Sequence, residues 1–190
     1  VAPTHQAVNN ALNACRQVSP NRNVCKVGDR FKSEGLRGDI RLVEAKHFRR
    51  ALRKHIIDDD WVIGMTFYSA VMLLTLQNTG FCPNVVLVDE AGQLPLAYGI
   101  LAGTFGAGSV LLFGDDMQMP PVFHPRLQKD PLSQSLFSHV RNVASERIHS
   151  LNVTYRLNDG LRCVVGDSFY PSPNGTFLKS YPQISGRRCP

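Results

Sequence analysis

Acidic side chains follow two apolar runs in the middle of this chain. Val85–Val88 is a short β-branched run that stops at Asp89 and Glu90, and the run at 110–113 stops at Gly114, Asp115 and Asp116. Continuous apolar runs are typical of parallel strands that are covered on both faces. Because the carboxyl ends of neighbouring parallel strands form the ligand-binding edge of an open α/β sheet, we expect these acids to lie together at such an edge.

Two adjacent carboxylates at a strand end can perform different chemistry. Asp89 is suited to hold a hydrated magnesium ion, and Glu90 to accept a proton from an attacking water. Gln118 follows the second run beside the stiff pair Pro120 and Pro121, so its amide can sense a terminal phosphate. A lone Asp-Glu pair is better interpreted as a solvated strand end. Because a second apolar run followed by GDDMQMPP is also present, we prefer the interpretation of Asp89 and Glu90 as functional residues.

Four stretches carry a resemblance to a known family. VDEAGQ followed by GDDMQMPP resembles motifs II and III of superfamily 1 helicases, in the branch that contains the nonsense-mediated-decay RNA helicase and bacterial DNA helicases. VAPTHQAVNNAL, at residues 1–12, resembles motif Ia, and residues 151–171 resemble motif IV and its sequel. The resemblance extends from the first residue to about Leu178.

The resemblance implies a RecA-like parallel sheet, ATP and Mg²⁺ as cofactors, and a 5′ to 3′ motor on single-stranded DNA or RNA. It implies that Tyr155 stacks on the adenine and that Arg156 reaches the γ-phosphate. Thr4 and Thr66 are expected to touch the backbone of the bound strand. Thr154 stands where the family commonly has Gln, so a contact by that amide is not carried over.

Composition places the chain among globular proteins. It has 190 residues, of which 43% are hydrophobic and 19% charged, as expected for one domain with a real core. No apolar run of 18 residues and no leader sequence is present, which predicts no membrane association. Five dispersed cysteines suggest neither disulfides nor zinc. We therefore expect an intracellular protein, cytoplasmic or nuclear.

Charge is distributed unevenly along the chain. Residues 22–54 hold eleven lysines or arginines and four acids, a net charge of +7, whereas residues 55–125 hold seven acids and no lysine or arginine. The basic segment has the composition of a phosphate-backbone footprint. It can equally be the solvated face of a helix.

Periodicity predicts alternating strands and helices. Thr4 is expected to cap a helix over 6–16 whose apolar face is Ala7, Ala11, Leu12 and Cys15. A second helix is expected over 43–57, with Val43, Phe48, Leu52 and Ile56 buried. The remaining predicted elements are strands at 24–27, 61–65 and 148–153, helices at 69–77 and 94–101, and a helix with its loop at 127–143.

The sequence has no GxxxxGK[ST] loop, which in these helicases precedes motif Ia. We therefore expect residues 1–190 to be a partial first motor domain with a small basic insertion at about 22–57. Its partners would be a P-loop segment and a second RecA-like domain, and the fragment alone should hydrolyse ATP poorly. One alternative is a non-catalytic nucleic-acid-binding or scaffolding module, which predicts salt-sensitive strand binding without an effect of ATP. Another P-loop NTPase, such as a nuclease-associated ATPase, predicts turnover without stimulation by nucleic acid.

Overall fold

A computed structural model describes residues 1–52, 60–73, 81–104, 108–115, 117–170 and 178–186. Asp116 and the ends of the helices predicted over 43–57, with Ile56, and over 69–77 lie outside these ranges. The chain divides into two compact units, Val1–Val143 and Ala144–Pro190, each described by itself.

The first unit alternates strands and helices. Thr4 caps the first helix as predicted, because its hydroxyl oxygen accepts a hydrogen bond from the Ala7 N–H at 3.2 Å. The elements are α1 (His5–Val18), β1 (Asn23–Val27), β2 (Arg41–Val43), α2 (Ala45–Ala51), β3 (Trp61–Gly64), α3 (Phe67–Leu73), β4 (Val85–Val88), α4 (Leu96–Thr104), β5 (Ser109–Leu112) and α5 (Leu136–Val143).

The strands of this unit pair in parallel. One sheet has the order β2-β1-β3, and β4 pairs with β5 in a second sheet. Residues 1–2 lie between the two sheets and contact both. Ala2 forms a parallel bridge to Thr66, just after β3, and the Val1 carbonyl accepts a hydrogen bond from the Asp89 N–H, just after β4, at 2.9 Å. The α/β prediction is confirmed: parallel strands flanked by helices form a RecA-like arrangement.

The buried face of α1 agrees with the predicted one except at Ala11. Leu12 is buried and Ala7 and Cys15 pack against the core as predicted, whereas Ala11 is exposed and Val8 and Asn9 are buried as well. Gly64 of β3 explains part of this choice, because a Cβ there would lie 2.7 Å from the side chain of Leu12. The helix therefore packs against the sheet through Leu12, and the small apolar residue Ala11 faces outwards.

Two further predictions were wrong in detail. Val43 ends strand β2 instead of beginning a helix, since it pairs with Val27 and its carbonyl accepts a hydrogen bond from the Gly28 N–H at 3.0 Å. Phe48 and Leu52 are buried as predicted. The strands β4 and β5 are also not covered on both faces, because Leu87 and Leu111 each remain 50% exposed.

The second unit is smaller. It contains β6 (Val153–Thr154), α6 (Asp159–Phe169), β7 (Lys179–Ser180) and α7 (Pro182–Ser185), with β6 and β7 paired in parallel. The strand predicted at 148–153 is reduced to its last residue, because only Val153 and Thr154 have a partner strand. No helix in the described parts of either unit is long and apolar enough to span a membrane.

Candidate functional site

The ends of β4 and β5 are joined by hydrogen bonds beyond their ladder. The Phe113 N–H donates to the Val88 carbonyl at 2.8 Å, and the Ala91 N–H donates to the Phe113 carbonyl at 2.8 Å. Asp89 and Glu90 therefore leave β4 directly beside the backbone that leads into Asp115. The backbones of Asp89, Glu90 and Asp115 therefore lie at one edge, as the strand-end argument predicts.

Two glycines allow this close approach. A Cβ at Gly92 would lie 2.4 Å from the Asp115 carbonyl oxygen, and a Cβ at Gly114 would lie 2.7 Å from the Gly92 nitrogen. No side chain fits at such distances. The two glycines thus bring the loops after β4 and β5 into backbone contact.

Glu90 has a left-handed backbone, with φ 54° and ψ 39°. It is the one non-glycine residue with positive φ among the described parts of the chain. Such a conformation costs about 1–2 kcal/mol for a residue with a Cβ. Its carboxylate oxygen Oε2 accepts a long hydrogen bond from Gln93 Nε2 at 3.4 Å. The strain is retained at the residue that carries the candidate general base.

Asp89 is half-buried and anchored through its backbone. Its Oδ1 accepts a hydrogen bond from the Glu90 N–H at 3.0 Å. No hydrogen bond within the described parts of the chain engages Oδ2. A carboxylate oxygen of this kind fits magnesium, which is commonly held by one or two carboxylates together with waters and substrate phosphates. No cluster of three or more potential metal ligands occurs among the described residues, so Asp89 fits only such a shared magnesium site.

Gln118 is oriented by Asp115. Its Nε2 donates to Asp115 Oδ2 at 3.0 Å, while the Met117 N–H donates to Asp115 Oδ1 at 3.0 Å. The amide oxygen of Gln118 is thereby directed by a fixed carboxylate on the loop after β5. Sequence reasoning singled out Gln118 but missed this role of Asp115, for which the three-residue spacing within one turn was the available signal.

Thr4 and Thr66, the two threonines predicted to contact nucleic acid, lie close to the bridge between Ala2 and Thr66. Thr4 is exposed and caps α1, whereas Thr66 is buried and bonds Ser69, its Oγ1 lying 3.1 Å from Ser69 Oγ. The Thr66 hydroxyl also accepts from the Ser69 N–H at 3.3 Å, so it caps α3. A contact of either threonine with a nucleic-acid strand stays a prediction.

The second unit holds Tyr155 and Arg156 on a turn after β6. The Thr154 hydroxyl oxygen accepts hydrogen bonds from the Arg156 and Leu157 N–H groups, each at 3.2 Å. This hydroxyl fixes the turn, which is a role that a glutamine side chain does not fill in the same way. Thr154 therefore has a local structural function.

Tyr155 packs against a second tyrosine that sequence reasoning missed. The ring centroids of Tyr155 and Tyr181 are 4.5 Å apart at an interplanar angle of 33°. The Tyr181 N–H donates to the Thr154 carbonyl at 2.8 Å, which places Tyr181 beside the turn. Tyr155 is still 69% exposed, so part of its surface is available for stacking. No local pattern relates the two tyrosines, because β7 brings them together.

Comparisons with known proteins point to helicases. The chain is 28% identical over 171 residues to the DNA replication ATP-dependent helicase/nuclease dna2 of Schizosaccharomyces pombe, which covers 88% of this chain and 12% of that protein. A probable helicase of Dictyostelium discoideum is 29% identical over 122 residues, covering 63% of this chain and 12% of the relative. Helicase sen1 of S. pombe is 30% identical over 90 residues, covering 47% and 5%.

The chain thus spans about an eighth of the length of the first two relatives. No protein-family model matches it. The matches and the RecA-like arrangement together show a helicase-like region that is similar, at low identity, to dna2, to sen1 and to a probable helicase.

Proposed function

We propose that this chain is part of the first motor domain of a superfamily 1 helicase or translocase that couples ATP hydrolysis to movement along a single strand. One observation carries the proposal: Asp89, Glu90 and the Asp115–Gln118 pair are held together at the hydrogen-bonded ends of two parallel strands. The similarity to helicases supports the same reading.

The chemistry follows from the positions of these groups. Glu90 accepts a proton from the attacking water, since among the described residues its carboxylate accepts a single, long hydrogen bond. Asp89 would hold Mg²⁺ through Oδ2, and the bound ion would neutralise charge on the phosphates. Gln118, oriented by Asp115, presents its amide at the same edge, where it responds to the presence of the terminal phosphate.

Two further proposed roles rest on the family resemblance alone. Tyr155 would offer a flat ring for the adenine, and the Arg156 guanidinium would neutralise charge on the transferring phosphoryl group. Both residues lie on the turn that Thr154 fixes, so their backbone positions are set before a nucleotide binds. The family resemblance supplies these two roles, and the local geometry of Tyr155 and Arg156 is compatible with the roles.

We further propose that the chain works within a larger motor. The open face of β4 and β5, with Leu87, Leu111 and Phe113 each 50% exposed, is suited to be covered by a P-loop segment. A second RecA-like domain would complete the motor. Thr4 and Thr66 would contact the backbone of single-stranded DNA or RNA, with 5′ to 3′ movement. The dispersed cysteines of the sequence suggest no disulfide framework, which favours an intracellular location, cytoplasmic or nuclear.

ATP turnover in the presence of single-stranded nucleic acid tests this function. It is measured on the longer polypeptide that would contain residues 1–190 together with the P-loop segment and the second RecA-like domain, here termed the intact polypeptide. Turnover is measured with and without single-stranded DNA or RNA, for the wild type, Glu90→Gln and the control Glu146→Gln, which changes an exposed glutamate of the second unit. The proposal expects stimulation by a single strand, lost in Glu90→Gln and kept in the control. Strand binding without turnover would support a scaffold instead, and turnover without stimulation would support a nuclease-associated ATPase.

A further inference from the structure

Phe31 is the most exposed of the large apolar side chains described, at 97% exposure. It lies in a single 3-10 turn, Arg30–Lys32, between two basic residues. An exposed phenylalanine by itself is unremarkable, because apolar atoms make up much of any protein surface. What distinguishes Phe31 is the rigidity of the loop that presents it.

A buried lysine holds this loop in place. Lys26 is fully buried, and its Nζ donates to Asn9 Oδ1 at 2.6 Å and also to the Lys32 carbonyl oxygen. Asn9 in turn donates from Nδ2 to the Glu34 carbonyl at 2.8 Å. Burial also lowers the pKa of Lys26 below its usual value. The backbone on the carboxyl side of Phe31 is therefore tied to the buried face of α1.

Further bonds fasten the rest of the loop along α1. Asn13 Nδ2 donates to the Gly35 carbonyl at 2.7 Å, and the Arg37 N–H donates to Asn13 Oδ1 at 3.0 Å. On the other side, Gly28 lies against His5, since a Cβ at Gly28 would be 3.3 Å from His5 Cε1. The loop thus lies beside the first half of α1, the helix that Thr4 caps.

The side chains around the ring suit a nucleic-acid strand. Arg30 and Lys32 are exposed and form no ion pair among the described residues, so both can contact phosphates. The same loop carries the acids Asp29 and Glu34, so its net charge is modest. The ring, and not an excess of charge, is therefore the distinctive feature. Aromatic rings that alternate with basic side chains are how single strands are bound without sequence preference.

We propose that Phe31 is a base-stacking contact for single-stranded nucleic acid, with Arg30 and Lys32 on the flanking phosphates. A base would cover a ring that no other part of the described chain covers. Because the loop is already fixed by Lys26 and Asn9, little conformational entropy is lost on binding. This inference rests on the proposed nucleic-acid track and adds a contact that the helicase-like motifs do not include.

Equilibrium binding of fluorescent oligothymidine and oligouridine to the intact polypeptide tests the contact. Phe31→Ala should weaken binding by about 5- to 150-fold, whereas Phe31→Tyr should retain it. Val18→Ala, which trims another highly exposed apolar residue at the far end of α1, should bind like the wild type.

Salt dependence separates stacking from charge. Phe31→Ala should leave the slope of log K against log salt unchanged, whereas Arg30→Gln and Lys32→Gln should each reduce it by about 0.7. Lys26→Met should weaken binding in the same way as Phe31→Ala, because it releases the loop without removing an exposed charge. Unchanged affinity in Phe31→Ala would overturn the proposal.

An oligonucleotide with abasic sites provides the final control. The penalty of Phe31→Ala should disappear on abasic DNA, since no base remains to stack. If the penalty persists there, the ring acts through something other than stacking and the inference is wrong. Failure of the wild type to bind any single strand would instead contradict the proposed function, and the two failures are therefore distinguishable.

Discussion

Gly92 lies so close to Asp115 that a Cβ at position 92 would sit 2.4 Å from the Asp115 carbonyl oxygen. The contact links the loop after β4, which carries Glu90, to the loop after β5, which carries Gln118. Asp115 in turn orients Gln118 through its carboxylate. The candidate base and the candidate phosphate sensor therefore depend on one backbone contact that only glycine permits.

Gly92→Ala should both destabilise the fold and reduce turnover. The added methyl group meets backbone atoms, which cannot move aside as a side chain can, and overpacking of this kind costs about 1–3 kcal/mol. Chemical unfolding and ATP turnover are the measurements. Gly38→Ala is the matched control, because a Cβ at Gly38 meets nothing within 4 Å. Equal stability of the two variants would contradict the close contact.

Glu90→Gly should be more stable than Glu90→Ala by about 1 kcal/mol, because glycine adopts positive φ without the cost that a Cβ imposes. Both variants lose the carboxylate and the bond from Gln93, so their difference isolates the backbone strain at φ 54°. Urea unfolding of the two proteins measures it. At a position with ordinary negative φ the glycine variant would be the less stable one, and that ordering would refute the strained conformation.

Asp39 should give the fold an acid-sensitive contribution. Hydrogen bonds from Arg37 and then from Arg16 lower the pKa of Asp39 to about 2 from its usual 3.8. Because the folded chain holds this proton less tightly than the unfolded chain, the stabilisation is complete above about pH 4 and is lost as the pH falls towards 2. The difference in Tm between the wild type and Asp39→Asn should shrink over that range. A difference that is constant between pH 5 and pH 2 would contradict the pairing.

Tyr181→Ala should raise the KM for ATP by about 2- to 10-fold, because an aromatic pair contributes roughly 0.5–1.5 kcal/mol. The effect acts through Tyr155, whose ring lies 4.5 Å from that of Tyr181, so kcat should change little. Tyr181→Phe keeps the ring and should restore the KM. In a Tyr155→Ala background the Tyr181 substitution should have no further effect, and an additive effect would show that Tyr181 acts independently.

Local signals in the sequence predicted much of the first unit. β4 has the predicted bounds, Val85–Val88, because its apolar and mostly β-branched residues suit a partly buried strand and polar residues flank the run on both sides. The Thr4 cap was predicted for a similar reason, because the hydroxyl and its N–H partner are three residues apart. β2 was missed: Arg41–Val43 is extended only because it pairs with β1, and that pairing is not visible in local periodicity.

The candidate site likewise has a part that local sequence predicts and a part that it does not. Asp89 and Glu90 could be placed because they directly follow β4, and Gln118 because it lies on the loop that leaves β5. The Gly92–Asp115 contact, the left-handed Glu90 and the ring of Tyr181 depend on how separate segments pack. The open face of β4 and β5 was also mispredicted, because a run such as VVLV has the same apolar residues whether one face or both are covered.

The central claim is that the edge formed by the ends of β4 and β5 is the catalytic site. Measuring the separate roles of Asp89 and Glu90 tests this claim most directly. Magnesium-dependent ATP binding and single-turnover hydrolysis are measured in the intact polypeptide for Asp89→Asn and Glu90→Gln. We expect Glu90→Gln to bind ATP like the wild type but to hydrolyse it at least about 100-fold more slowly, and Asp89→Asn to lose the magnesium dependence of binding. Hydrolysis at the wild-type rate in Glu90→Gln would contradict the assignment of this strand edge as the catalytic site.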